Sequence, residues 1–183
     1  MKKPSKSFEI VLSAIACAVA AASLTLGCYV NVLYAAGIIL AVFALMVPLS
    51  KDFIWGAALA FLGSALLAFM FCAFSVFKLV PYLLFFGLHP VVNHIQLRFV
   101  KKKWIHPLVE LVKAVWFILS MWLSFHLLAV DFFGFDQTTW YEWVMQYFHY
   151  VLWLGGAVVF IAYDLLIFLC QKSVNALIRR IRR

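Results

Sequence analysis

Long apolar stretches separated by short polar connectors dominate the chain. A helix needs about 20 apolar residues to cross the hydrocarbon core of a bilayer, and six stretches reach or approach that length. They are residues 10–27, 32–49, 53–74, 79–95, 106–130 and 143–170. The pattern predicts an all-α polytopic bundle of six transmembrane helices, built as a single integral membrane domain over residues 1–183.

The composition excludes a soluble fold. Hydrophobic residues make up 67% of the 183 residues and charged residues 12%, and the mean hydropathy is +1.05. A soluble domain is about half apolar and about a quarter charged. Because a chain of this length has room for one domain, we expect no appended catalytic or ATP-binding module.

The net charge of +8 predicts orientation in a membrane rather than nucleic-acid binding, because Lys and Arg fall between the apolar stretches. With six spans, the positive-inside rule places both termini and the second and fourth connectors on one cytoplasmic face. The opposite face carries Lys78 with Asp131, Asp136 and Glu142. The chain is therefore predicted to lie in the plasma membrane with both termini cytoplasmic, its basic tail 171–183 resting on the inner leaflet.

Two features leave alternatives to six spans. Lysines precede a first apolar run that ends near Cys28, loosely like a lipoprotein signal. That run is longer than a typical signal core, so we expect a retained first helix. The connectors at 28–31 and 50–52 are very short, and one hairpin could fail to cross. Since the basic clusters require an even count, four spans is then the alternative.

Two spans carry ladders of small residues, which let helix backbones approach each other in a bilayer. In the first span the ladder is Ala14, Ala18 and Ala22, and in the third it is Gly56, Ala60, Ser64 and Ala68. Two interpretations are open. Both ladders pack inside the protein's own bundle, or one of them is a docking face for another membrane protein.

A six-span protein of this size, cytoplasmic at both ends and with an A-x-x-x-A ladder at Ala14, Ala18 and Ala22, resembles the substrate-binding S components of energy-coupling factor (ECF) importers. In that family the alanine face of the first helix contacts a transmembrane coupling subunit, which works with ATPases. The substrate is held near the outer side. The resemblance covers the architecture of the chain and the sequence of one helix, and it implies that these three alanines form a partner interface.

The fourth span is predicted to be a broken helix. Pro81 and Pro90 each remove a backbone donor and Gly87 adds flexibility. We expect freed carbonyls around Phe86 and Lys78. A broken helix inside a membrane protein is a place where a polar ligand can be held.

Polar side chains follow this break. His89 and Asn93 are four residues apart and share a helix face, and His94 lies one step off it. Groups of this kind at membrane depth usually face the bundle interior. They either satisfy the broken backbone and a neighbouring helix, or bind a ligand. Haem ligation would need His126 or His149 at a matching depth.

Three charged residues in the last two spans need partners. Glu110 and Lys113 form an i,i+3 pair, which we interpret as an anchor near the cytoplasmic interface. Asp164 has no cation within reach on its own helix. We expect it to bond across to another span, with Lys113, His94 or Asn93 at a suitable depth, and proton or cation coupling is the alternative role.

The connector 131–142 is acidic and aromatic. It is either part of an interfacial aromatic belt or a lid whose rings stack on a flat solute. For the second interpretation, the candidate ligand-binding residues on the predicted outer side are Asn31, Lys78, Tyr82, His126, Trp140 and Tyr141.

Other site chemistry receives no support from the sequence. The cysteines Cys17, Cys28, Cys72 and Cys170 are isolated on separate apolar segments without metal-ligand spacing. We interpret them as small buried apolar residues, and we predict neither a metal site nor a cofactor. No H-E-x-x-H or G-x-S-x-G motif is present, so no residue is predicted to be catalytic.

Three function classes remain. The preferred one is a substrate-capture membrane subunit of a multi-component transporter, for a small solute such as a vitamin or related micronutrient. Its expected partners are the lipid bilayer, the solute and a transmembrane coupling subunit with ATPases. The alternatives are a non-catalytic assembly or regulatory partner and an intramembrane enzyme acting on a lipid or peptide.

Overall fold

The predicted helical bundle is confirmed in the computed structural model, which describes residues 6–99, 104–132, 146–148 and 150–181. Six helices in these ranges are long and apolar enough to cross a membrane, and we call them spans 1 to 6. They are Lys6–Tyr29, Asn31–Leu49, Ile54–Phe71, Ser75–Arg98, His106–Leu127 and Gln146–Val174. Each of the two short hairpins therefore joins two helices of spanning length, which favours six spans over the alternative of four.

In the part of the chain that the structure describes, the spans are built from long α-helices and shorter helical segments. The α-helices are α1 (Lys6–Tyr29), α2 (Tyr34–Leu49), α3 (Ile54–Phe71), α4 (His89–Phe99), α5 (His106–Phe132) and α6 (Gly156–Ile181). Span 2 begins with a 3-10 turn, Asn31–Leu33, and span 6 contains a π-helical turn, Val151–Gly155. Span 4 enters α4 through a 3-10 segment, Ala73–Leu79, and a π-helical turn, Tyr82–Phe86.

Spans 1, 3 and 5 end at one face of the bundle, and Lys78 lies near the beginning of span 4 at that face. We call this face the Lys78 end, which is the predicted outer side. The opposite face contains the turn between α2 and α3, and we call it the Asp52 end. In that turn Asp52 has a left-handed backbone (φ 63°), and its Oδ1 lies 3.0 Å from His94 Nε2.

The small-residue ladder of span 3 packs inside the bundle. Ala60, Ser64 and Ala68 are all buried, and Gly56 faces Ser13 of α1 so closely that a β-carbon there would collide with the serine hydroxyl. Small residues bring α1, α2 and α3 together because lipid gives helices no hydrophobic reason to associate. For this ladder, internal packing is the correct interpretation.

Replacing Gly37 with alanine should destabilise the contact between α1 and α2. A β-carbon at Gly37 would lie 2.5 Å from the carbonyl oxygen of Ser23 and 3.3 Å from the Cα of Gly27. These are backbone atoms that cannot rotate away. We expect the free energy of unfolding to fall by about 1–3 kcal/mol, the usual effect of overpacking. The measurement is detergent-induced unfolding, in which the midpoint should shift to a lower detergent fraction.

The matched control is Gly156→Ala. A β-carbon at Gly156 would lie 3.6 Å from Ile118 Cγ1, which is ordinary van der Waals contact. Because alanine favours a helix over glycine by about 1 kcal/mol, this variant should be as stable as the wild type or slightly more so. Equal stability of Gly37→Ala and Gly156→Ala would contradict the close α1–α2 packing.

Candidate functional site

Span 4 is interrupted, as Pro81 and Pro90 predict. One of its carbonyl groups accepts a hydrogen bond from span 2. The Tyr34 hydroxyl, on span 2, donates a 2.8 Å hydrogen bond to the carbonyl oxygen of Lys78. The Tyr82 hydroxyl lies 2.9 Å from the Ser64 hydroxyl, and both side chains are completely buried. These contacts fix the broken span against spans 2 and 3.

Beyond the break, three charged or titratable side chains from three spans meet. Lys113 Nζ of α5 donates to Asp164 Oδ1 of α6 at 3.0 Å. His89 Nε2 of α4 lies 3.0 Å from the same carboxylate oxygen. Lys113 is 2% exposed and His89 0%. The predicted bond from Asp164 to another span is therefore present, and Lys113 is the partner.

The cluster continues toward the Asp52 end through amide and carboxylate groups. Lys113 Nζ also lies 2.8 Å from Glu110 Oε2 and donates to Asn93 Oδ1 at 3.4 Å. Gln96 Nε2 donates to Glu110 Oε1 at 2.8 Å and lies 3.4 Å from His106 Nδ1. We call the residues His89, Asn93, Gln96, His106, Glu110, Lys113 and Asp164 the polar cluster.

Two predictions about these residues need correction. His94 is not a partner of Asp164, because it turns to the Asp52 end and contacts Asp52. The Glu110–Lys113 pair is not only an interfacial anchor: the Lys113 ammonium is buried and joins the carboxylates of two spans. The prediction that His89 and Asn93 share an inward face is confirmed, since both are buried and both reach the Lys113–Asp164 pair.

The polar cluster pairs groups of opposite charge between spans 5 and 6, with His89 of span 4 beside them. One ammonium lies between two carboxylates, and the imidazole of His89 approaches the carboxylate of Asp164. Within the described residues, neither ring nitrogen of His89 has a hydrogen bond of good geometry, although Nε2 lies within hydrogen-bonding distance of Asp164 Oδ1. A charged group in a membrane is stable only when it is paired, and the cluster holds the three spans in one register.

Aromatic rings cover the polar cluster on the side of the Lys78 end. Phe85 packs against the His89 ring with centroids 4.9 Å apart, and Phe117 and Trp116 lie at the same distance from Phe85. Tyr163 packs against His89 at 5.1 Å. This layer separates the charged groups of the polar cluster from the half of the bundle at the Lys78 end.

On the side of the aromatic layer that faces the Lys78 end, the described residues line a cavity of about 670 Å³ that is largely open to its surroundings. Spans 2, 4, 5 and 6 all contribute to its walls, which are almost entirely carbon. The rings that line it belong to Tyr34, Phe86, Phe117, Phe125, Phe148 and Tyr163. Tyr163 belongs to both the cavity wall and the aromatic layer, and its hydroxyl is buried without a hydrogen-bond partner among the described residues.

The predicted ligand-binding residues do not converge on this cavity. Lys78 Nζ donates to Asn31 Oδ1 at 2.8 Å and to the carbonyl oxygen of Cys28 at 2.9 Å, so these two residues brace the Lys78 end. Tyr82 is packed against Ser64. His126 Nδ1 lies 2.9 Å from the carbonyl oxygen of Trp122 on its own helix. Trp140 and Tyr141, with most of the proposed lid, lie outside the described residues.

The ladder of span 1 does not pack inside the bundle. Ala14, Ala18 and Ala22 are exposed, whereas Ala16 and Ala20 on the other side of α1 are 3% and 0% exposed. The two ladders therefore have different environments: the third span packs with its ladder, and the first span presents its own ladder outward. An exposed alanine stripe leaves a shallow, smooth helix face along which another helix can lie closely.

Comparison of the chain with protein-family models, with curated proteins and with solved structures finds no match. Within the ranges that the structure describes, no three His, Cys, Asp or Glu side chains are arranged to hold a metal ion. The features available for a functional argument are thus the apolar cavity, the exposed alanine stripe and the polar cluster. Sequence reasoning missed the cavity, since its walls come from four spans and share no motif.

Proposed function

We propose that this multi-pass membrane protein is the substrate-capture subunit of a multi-component transporter. The observation that carries the proposal is the cavity of about 670 Å³ between spans 2, 4, 5 and 6. Its volume falls within the range of about 300–1,000 Å³ typical of small-molecule sites. It lies toward the Lys78 end, which is predicted to be the outer side, where a capture subunit meets its solute.

The cavity walls define the class of solute. The side chains that line it are aliphatic and aromatic, and those that carry a hydroxyl are Ser124, Tyr34 and Tyr163. A solute held there must bury a mainly apolar or aromatic body. A vitamin-like heterocycle with a hydrophobic part fits this description, whereas a small hydrophilic ion does not.

The remaining two features suit the same function. The exposed stripe of Ala14, Ala18 and Ala22 on span 1 offers a face for a transmembrane coupling subunit. Span 1 does not line the cavity. Partner docking and solute binding therefore use separate surfaces. The polar cluster fixes spans 4 to 6 beneath the cavity, so that the walls of the site are supported by a rigid base.

Substitution of Ala18 by tryptophan should abolish assembly with a coupling partner while leaving the fold intact. Ala18 is exposed in the middle of the stripe, and an indole there prevents a close helix contact. The measurement is affinity purification in mild detergent, followed by identification of a multi-span subunit and ATPases. We expect these proteins with the wild type and their loss with Ala18→Trp.

The matched control is Leu66→Trp on span 3, a lipid-facing position that is 67% exposed and lies away from the stripe. It should retain the partners, which shows that an added indole is tolerated elsewhere on the lipid-facing surface. If the wild type purifies without ATPases, the transport proposal is wrong and a stand-alone membrane protein is the better account. If Ala18→Trp keeps its partners, the stripe is not the docking face.

A further inference from the structure

We propose that Cys28 and Cys72 form an intramolecular disulfide that joins the end of span 1 to the end of span 3. This inference does not depend on the transport function. The sequence alone gives no reason to pair them, because they are 44 positions apart on different apolar segments. The fold brings them to the same point at the Lys78 end of the bundle.

The two thiols lie close to each other. The Cys28 and Cys72 side chains are near enough to interact electrostatically, and both thiols are free. They are 4% and 2% exposed and belong to one apolar core cluster. A disulfide requires the two β-carbons to approach within about 3.5–4.5 Å, and a hydrogen bond between the residues next to the two cysteines holds their helix ends side by side.

Hydrogen bonds join the backbone segments that carry Cys28 and Cys72 to each other and to span 4. The Tyr29 hydroxyl, one residue after Cys28, donates at 2.8 Å to the carbonyl oxygen of Phe71, one residue before Cys72. Lys78 Nζ donates at 2.9 Å to the carbonyl oxygen of Cys28. These bonds hold the ends of the two spans together, so a sulfur–sulfur bond would cross-link segments that are already adjacent.

The chemistry is thiol–disulfide exchange with a disulfide-bearing oxidant. One thiolate attacks the oxidant's disulfide, forming a mixed disulfide and releasing one oxidant thiol. The second thiolate attacks the mixed disulfide, which forms the Cys28–Cys72 bond and releases the second oxidant thiol. Two protons leave the protein and the oxidant takes them up with the two electrons. The predicted outer orientation of the Lys78 end places the pair where disulfides persist.

Because both thiols are buried in the folded protein, we expect the exchange to take place before the bundle closes over the pair. Cys17 and Cys170 occupy other positions. Cys17 packs toward Gly63 in the middle of α1, and Cys170 lies on span 6. They serve as internal controls in a count of reactive thiols.

The test is a count of alkylated cysteines in the full-length protein. Membranes are quenched with N-ethylmaleimide at harvest, and the purified protein is denatured in fresh reagent and weighed as the intact chain, with and without prior reduction. Of the four cysteines, we expect two to be alkylated without reduction and all four after it. Peptide mapping should assign the protected pair to Cys28 and Cys72. Four alkyl groups without reduction would overturn the proposal.

Two variants make the assignment independent of peptide mapping. With Cys17→Ser and Cys170→Ser combined, we expect no alkylation before reduction and two groups after it. With Cys28→Ser, the three remaining thiols should react fully without reduction. A protected pair that persists in Cys28→Ser would also overturn the assignment. In addition, a reductant should lower the thermal unfolding midpoint of the wild type and leave that of Cys28→Ser unchanged.

Discussion

Replacement of Lys113 by methionine is expected to destabilise the protein by about 3–5 kcal/mol, the usual cost of leaving a buried charge without its partner. Lys113 is 2% exposed and is the ammonium shared by Asp164 and Glu110. Methionine keeps the length of the side chain, so the effect comes from the lost charge rather than from a cavity. The measurement is the free energy of unfolding in mixed detergent micelles.

A second substitution should restore most of that loss. In the double variant Lys113→Met and Asp164→Asn, the carboxylate is removed together with its counter-ion, and the amide can still interact with His89. Glu110 keeps its 2.8 Å hydrogen bond from Gln96 and is 38% exposed. The coupling between the two sites, measured by a double-mutant cycle, should therefore be large and favourable.

The control is the other cross-span pair, His94 and Asp52. Asp52 is 70% exposed, and exposed pairs contribute about 0–1 kcal/mol. His94→Ala should therefore cost far less than Lys113→Met. If the single variants at Lys113 and Asp164 are additive, or if His94→Ala is equally damaging, the polar cluster does not hold spans 4 to 6 together as we describe.

The second large effect is expected at Ala35, on the wall of the cavity. An indole at this position would occupy part of the cavity of about 670 Å³, and we expect it to clash with a solute bound against this wall. Ala35→Trp should therefore abolish solute retention while preserving the fold and the docking of partners at the alanine stripe. Retention is measured as the small molecule released on denaturation of the purified protein.

The neighbouring residue provides the matched control. Ala36 is exposed like Ala35 but does not line the cavity. Ala36→Trp adds the same indole to the same helix and should retain the solute at the wild-type level. If both variants lose the solute, the effect is a general disturbance of α2. If both keep it, the solute is bound elsewhere.

The sequence was sufficient to predict the fold class and the number of spans. The length of an apolar stretch is set by the thickness of a bilayer, so each span can be recognised without knowing its neighbours. The break in span 4 was equally accessible, because Pro81 and Pro90 act on their own helix. Orientation follows from charge, and the cytoplasmic location of the termini stays a prediction.

The arrangement of the site was less accessible, because contacts between spans depend on how each helix is rotated about its axis. Asp164 was expected to find a partner on another span, and Lys113 was one of three candidates. Choosing among them required the rotation of α4, which turns His89 and Asn93 inward and directs His94 toward Asp52. The proximity of Cys28 to Cys72 likewise depends on how the helices are rotated.

Small-residue ladders illustrate the same difficulty. The ladders of spans 1 and 3 are equally regular in sequence, yet Ala60 and Ala68 are buried whereas Ala14 and Ala18 are exposed. Spacing shows that a close contact is possible and says nothing about which surface supplies it. The cavity could not be predicted from the sequence for a further reason. It is the space left between four spans rather than a property of any one of them.

The central claim, that the cavity captures a small solute, is tested most directly by native mass spectrometry of the protein released from mild detergent. We predict a non-covalent mass on the wild type and on Ala36→Trp that is absent from Ala35→Trp, and it should belong to an organic molecule with an apolar or aromatic body. A wild-type protein that carries no such mass, even after incubation with a membrane-free extract of its cells, would contradict the claim.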